Sequence, residues 1–134
     1  MKFLSKKLKN IILISILIFI AHGLEEYFTG FYDVDIFFNF FIKLFGYTNL
    51  NQAIFITFEI VVWLFLIISF FLIKDRKFIL FITTIWGLIL IFELHHLIKA
   101  LLKWDYYPGT VTAILLLIIG FFYWKELIIN LKAT

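Results

Sequence analysis

His22, Glu25 and Glu26 are the residues of this chain best suited to chemistry. They fall at i, i+3 and i+4 of a helix and so share one face. An imidazole beside two carboxylates can hold a divalent cation or pass a proton between acid and base. The three sit at the end of the apolar run from Ile11 to Ala21. Carrying a charge into hydrocarbon costs at least ~2.5–3.5 kcal/mol per residue, and such residues face a bundle interior. Other polar groups are therefore expected to meet this face. Glu93 and His96 are one source, because Glu-x-x-His is the spacing by which helical bundles present two ligands inward. His95 points about 100° away, so His96 is taken as the inward histidine. Glu59, alone in an apolar stretch, is another source. The expected ligands are His22, Glu25, Glu59, Glu93 and His96. Glu26 is the expected general base, and Tyr106 the expected donor at the mouth of the site. Imidazoles and carboxylates together suit zinc, iron or manganese.

The rest of the sequence must carry these groups inside a bilayer. The chain has 134 residues, enough for one domain, and is 64% hydrophobic and only 16% charged. Soluble domains are nearer half apolar and a quarter charged. Mean hydropathy is +1.08. Four apolar stretches, about 11–28, 53–73, 78–102 and 111–131, have the ~17–25 residues that span a ~30 Å hydrocarbon core as helix. The fold expected is an all-α membrane protein with four transmembrane helices in a single domain, 1–134. Net charge is +3, but the basic residues gather at helix ends, a signal of topology rather than of nucleic-acid binding. With no cysteine, disulfides and thiolate chemistry are excluded.

The amino-terminal run could be mistaken for a signal peptide, with small residues at Ala21 and Gly23. It is read as a span, because cleavage there would part His22 from its glutamates. Between the first two spans, residues 33–45 are rich in phenylalanine, yet Asp35, Asn39 and Lys43 recur every fourth residue. That polar stripe predicts an interfacial amphipathic helix, with Asp33 as its cap. Asn49 and Gln52 have capping-box spacing before the second span. The basic turn 74–77 makes spans two and three antiparallel neighbours. Nine of twelve basic residues lie at the two termini and this turn, so both termini are expected in the cytoplasm of a multi-pass cell-membrane protein.

Depth supports convergence. At ~1.5 Å rise per residue, His22 lies ~17 Å and Glu26 ~23 Å from the inner end of span one, Glu93 ~23 Å and His96 ~27 Å up span three, and Glu59 ~9 Å below the outer end of span two. All fall in the outer half. Each residue has a blander alternative. Glu59 would serve equally to bond a neighbouring helix. Glu25 and Glu26 would serve as caps of a shortened first span. Tyr106 would serve as an ordinary interfacial tyrosine, and Lys99 and Lys103 as snorkelling cations.

His22-Gly23-Leu24-Glu25-Glu26, a later histidine, and Tyr106-Tyr107-Pro108-Gly109 together resemble the HXXEE-motif family of small membrane proteins, marked by H-x-x-E-E, another histidine and Y-x-P-G. The resemblance spans most of the chain. It leaves open whether the later histidine is His95 or His96, and it implies a site without supplying a reaction. In Tyr106–Gly109, Pro108 holds Tyr107 extended, Gly109 permits a close turn, and Thr110 is placed to cap span four.

Three functions follow. The first is a small membrane enzyme whose divalent metal, or metal-free His/Glu pair, acts on a lipid-like substrate as a hydrolase, oxidoreductase or acid–base isomerase. The second is a proton or ion relay. Its weakness is the apolar inner halves of the spans, which would need a partner or a second copy in a homo-oligomer. The third is a non-catalytic membrane subunit whose buried charges lock a partner helix.

Overall fold

The structure, a computed structural model, describes residues 4–44, 46, 50–73 and 79–132. Among these every regular element is helix: α1 Lys6–Thr29, α2 Phe31–Val34, α3 Ile36–Leu44, α4 Asn51–Leu72, α5 Ile79–Phe92, α6 Leu94–Lys103 and α7 Thr110–Lys132. Four helices are long and apolar enough to cross a membrane: α1, α4, α5 with α6 as one unit, and α7. They coincide with the four stretches read from hydropathy, with α1 starting earlier. Ser5 sets that start, its Oγ accepting from Leu8 N–H at 3.1 Å. The basic turn 74–77 and the capping residue Asn49 lie outside the described residues.

α1 packs most extensively on α7, then on α4, while α5 and α6 pack on α7. Deep in the bundle, Leu8, Ile12, Leu66, Trp86, Leu116 and Tyr123 form one apolar core. Several of its few polar groups bond to one another or to helix carbonyls. Trp86 Nε1 donates to Ser69 Oγ at 2.8 Å, Ser69 Oγ donates to Leu66 O, and Tyr123 OH donates to Thr83 O at 2.5 Å. Next to the termini, Ser5 N–H donates to Asn130 Oδ1 at 2.8 Å, and Lys7 pairs with Glu126 at 3.0 Å. The two ends of the chain therefore lie on the same side of the bundle.

At the opposite end, Gly30 stops α1 in the left-handed region, φ 77°, its N–H reaching back to the carbonyls of Glu26 and Tyr27. A side chain there would be strained. The turn lets α2 and α3 fold back over the bundle end as a strap. Phe31 packs with Phe55 and Tyr107 in a second apolar cluster. Asp35, not Asp33, caps α3, its Oδ1 accepting from Phe38 N–H at 2.7 Å. The stripe Asp35–Asn39 turns towards protein: Asp35 is buried, and Asn39 Oδ1 accepts from Asn51 Nδ2 at 3.1 Å. Phe37, Phe40 and Leu44 face outward.

Candidate functional site

α1 delivers His22 and Glu26 from adjacent turns of one face, both buried. Glu93 stands at the break between α5 and α6, and His96 follows one turn later, also buried. The four side chains meet. His22 Nε2 is 2.9 Å from Glu93 Oε2 and 3.7 Å from Glu26 Oε1. His96 Nε2 is 3.2 Å from Glu26 Oε1 and 3.5 Å from Glu93 Oε2. The two rings meet edge to face, centroids 4.7 Å apart.

The outer nitrogens of the rings show which atoms face the cluster. His96 Nδ1 lies 2.7 Å from the Pro108 carbonyl, which can only accept, so Nδ1 carries the proton. His22 Nδ1 lies 2.7 Å from Thr112 Oγ1, whose own proton goes to Glu25 Oε2 at 2.5 Å. Thr112 therefore accepts from His22, and this Nδ1 is protonated too. In neutral rings both Nε2 atoms are then bare lone pairs turned at two carboxylate oxygens. Four acceptors confront one another, and Glu93 Oε2 is buried without a hydrogen-bond donor. Such a cluster persists only with positive charge placed in it, as protons or as a cation. The spacing suits a cation: ligands ~2.0–2.1 Å from a tetrahedral zinc lie ~3.3–3.4 Å from one another, and the four distances bracket that value. His22, Glu93 and His96 each offer a ligand atom, all within 4.8 Å of one another.

Glu25, expected among the ligands, turns away from this cluster. It accepts from the Val111 and Thr112 N–H groups at 3.1 and 2.8 Å, and from Tyr106 OH at 2.6 Å. It caps α7 from another helix and satisfies donors that a helix start leaves unpaired. Thr110, the residue expected to cap α7, instead sends its hydroxyl to Tyr107 O. Tyr106 meets Glu25 and is half exposed, so it reaches the site only through that carboxylate. Glu26, expected as a base, is the glutamate of the pair that reaches His96. Glu59 is buried against Gly23, where an added Cβ would lie 2.8 Å from Glu59 Cδ and 3.0 Å from Trp63. It stands beside the four-atom ring rather than in it. His95 points elsewhere, its Nδ1 3.0 Å from Phe92 O.

The loop before α7 closes the site. Gly109 has φ 84°, and a Cβ there would lie 2.8 Å from His22 Cε1 and 2.9 Å from His96 Cε1. No other residue lets the backbone pass between both rings. Residues 13–124 match the family described as "Protein of unknown function with HXXEE motif". The chain belongs to this family. No curated protein and no solved structure matches it.

In HXXEE terms, the histidine and second glutamate of the motif face the cluster, while the first glutamate seats the last helix. The proline of the Y-x-P-G stretch offers its carbonyl to His96, and the glycine gives both rings room. Two contributions could not be read from the sequence. The Pro108 carbonyl is backbone, and Thr112 is an ordinary helix residue until Glu25 is known to stand beside it.

Beyond the loop lies a second polar group. Tyr107 OH donates to Asp35 Oδ2 at 2.6 Å, and Lys99 Nζ reaches the same oxygen and, at 3.2 Å, Tyr107 OH. Burial raises the pKa of Asp35, but the bonds from Lys99, Tyr107 and Phe38 outweigh it, so the carboxyl lies below its ordinary value. Burial, and then the Asp35 carboxylate, push the Tyr107 phenol well above its ordinary range.

Proposed function

We propose that this chain is a small metal-dependent membrane enzyme acting on a lipid-like substrate. The observation that carries the reading is the outward pinning of both Nδ1 atoms, which leaves two Nε2 lone pairs and two carboxylate oxygens facing one buried point. His22, His96, Glu93 and Glu26 would hold a divalent ion, zinc, iron or manganese. A divalent ion there polarises a substrate oxygen or lowers the pKa of water. The Pro108 carbonyl and Thr112 fix the imidazole tautomers, a role that outer partners play at metal sites. Glu59, beside the ring and away from water, is the nearest spare carboxylate to accept a proton from substrate. The large apolar side chains that the spanning helices expose around the site favour a substrate that partitions into the membrane.

The topology that fits places both termini in the cytoplasm, by the bias of basic residues, and the cluster in the outer half of the bilayer. α3 lies at the outer interface with its phenylalanines in lipid, the inverse of a surface helix that shows its polar stripe to water. The relay reading is disfavoured by the inner half of the bundle. Ser15, Ser69 and Thr83 there donate their hydroxyls to carbonyls of their own helices, and among the described residues no polar chain runs below the cluster.

Elemental analysis of protein purified in detergent tests the reading. About one metal per chain is expected. His22→Ala and His96→Ala should each lower affinity by more than the ~10–100-fold that losing an outer partner costs. A metal-free protein that holds the same His–Glu contacts, with the imidazole nitrogens protonated by 15N NMR, would replace the metal enzyme with an acid–base isomerase.

A further inference from the structure

We infer that Lys99 and Tyr107 form a binding subsite for the anionic head group of a membrane amphiphile, and that Asp35 on the strap occupies this subsite in the closed protein. The inference rests on the proposed lipid-like substrate and supplies its charge. The donors belong to the fixed body of the molecule: Lys99 to α6, and Tyr107, 2% exposed, to the loop that closes the site. Their acceptor belongs to the strap. Two donors converge on Asp35 Oδ2, the way a carboxylate or phosphate oxygen is held. Lys103 lies one turn beyond Lys99, its Nζ 5.0 Å from the Tyr107 ring centroid. Among the described residues no carboxylate pairs with it, so the subsite carries one more positive charge than Asp35 neutralises.

The same strap covers the His/Glu cluster. Phe31 lies against His96, ring centroids 5.4 Å apart, and the Tyr107 ring is 5.8 Å from His96. Lifting α2 and α3 would uncover the imidazole and the anion subsite together. A head group bound by Lys99 and Tyr107 would then set the adjoining bonds of the same molecule beside His96. The outward face of α3, with Ile36, Phe37 and Phe40 exposed, can stay against acyl chains while the strap moves. An anionic amphiphile would exchange its own charge for that of Asp35, so that Lys99 stays paired in both states.

The test uses the full chain in dodecyl maltoside, with dodecyl phosphate and inorganic phosphate as probes. Asp35→Asn keeps the size of the side chain and removes its charge. It should bind dodecyl phosphate about tenfold tighter than the parent, a shift of one decade in Kd, and Lys99→Gln added to it should abolish the gain. Inorganic phosphate should gain nothing. An equal gain for inorganic phosphate would transfer the subsite to a soluble anion and overturn the membrane source. Unchanged or weaker binding of dodecyl phosphate by folded Asp35→Asn would overturn the subsite itself. Should that variant fail to fold, Asn39→Cys with Asn51→Cys, joined by a short bis-maleimide in this cysteine-free chain, pins the strap with Asp35 intact. Cross-linked protein should lose dodecyl phosphate binding, and retained binding would overturn the inference. Metal content measured on the same samples keeps the two ideas apart: absence of metal with amphiphile binding intact removes the proposed centre and leaves the subsite standing.

Discussion

At the scale of single residues, the cluster is organised by what lies behind the imidazoles as much as by what lies between them. Thr112 accepts a hydrogen bond from His22 Nδ1–H and donates one of its own to Glu25. Thr112→Val should therefore leave the His22 tautomer unfixed and weaken metal binding ~10–100-fold, while Thr112→Ser restores it. The 15N shifts of His22 report the tautomer directly, and a valine variant that keeps the protonated Nδ1 would rule this role out. Gly109→Ala carries two penalties. One is the left-handed backbone, about 1–2 kcal/mol. The other is collision with both imidazoles. It is expected to lower both stability in SDS titration and metal content. Sequence spacing put His22, Glu25 and Glu26 on one side of a helix but could not choose between the glutamates. Adjacent residues diverge by about 100°, and the rotation of α1 about its axis is set by α7, which periodicity within α1 does not contain.

At the scale of elements, α1 and α7 are joined by more than apolar packing. Glu25 caps α7 across the helix pair. Glu25→Ala should cost about 1 kcal/mol for the cap, with more for the Tyr106 hydroxyl left unmatched, and Tyr106→Phe should cost less than Glu25→Ala. Equal stability of Glu25→Ala and the parent in SDS titration would contradict this. The strap has its own pH dependence. Asp35 titrates below its ordinary value in the folded protein, so its contribution is present above the unfolded value near ~3.9 and is lost as pH falls through the depressed one. Protease resistance of the Gly30–Leu44 segment should thus be flat from pH 7 to about 4 and fall only in stronger acid. Loss already at pH 6 would mean that another group holds the strap. A helix between spans one and two was legible in the four-residue recurrence of Asp35, Asn39 and Lys43. The direction of its polar stripe was not. Period alone shows that polar residues share a face, and only the donors Lys99, Tyr107 and Asn51, distant in sequence, draw that face inward.

At the scale of the whole molecule, four helices of spanning length, their order and the common height of the ionisable groups were legible from hydropathy and rise per residue. The angular arrangement was not. α4 meets chiefly α1 and leaves most of its surface exposed, whereas α7 touches α1, α5 and α6; α4 is the more apolar of the two, but composition does not say which neighbours each helix meets. The orientation proposed here is open to direct measurement because the chain lacks cysteine. In intact cells, Trp104→Cys should react with an impermeant maleimide from outside, and Lys132→Cys only after the cells are opened. Reversed labelling would invert the topology and move the cluster to the cytoplasmic leaflet.

The proton acceptors behind both imidazoles, the Pro108 carbonyl and the Thr112 hydroxyl, come from the last quarter of the chain. During synthesis His22 and His96 therefore emerge before the groups that seat them. A product truncated ahead of Tyr106 would carry every ionisable member of the cluster and still lack the groups that fix both imidazoles.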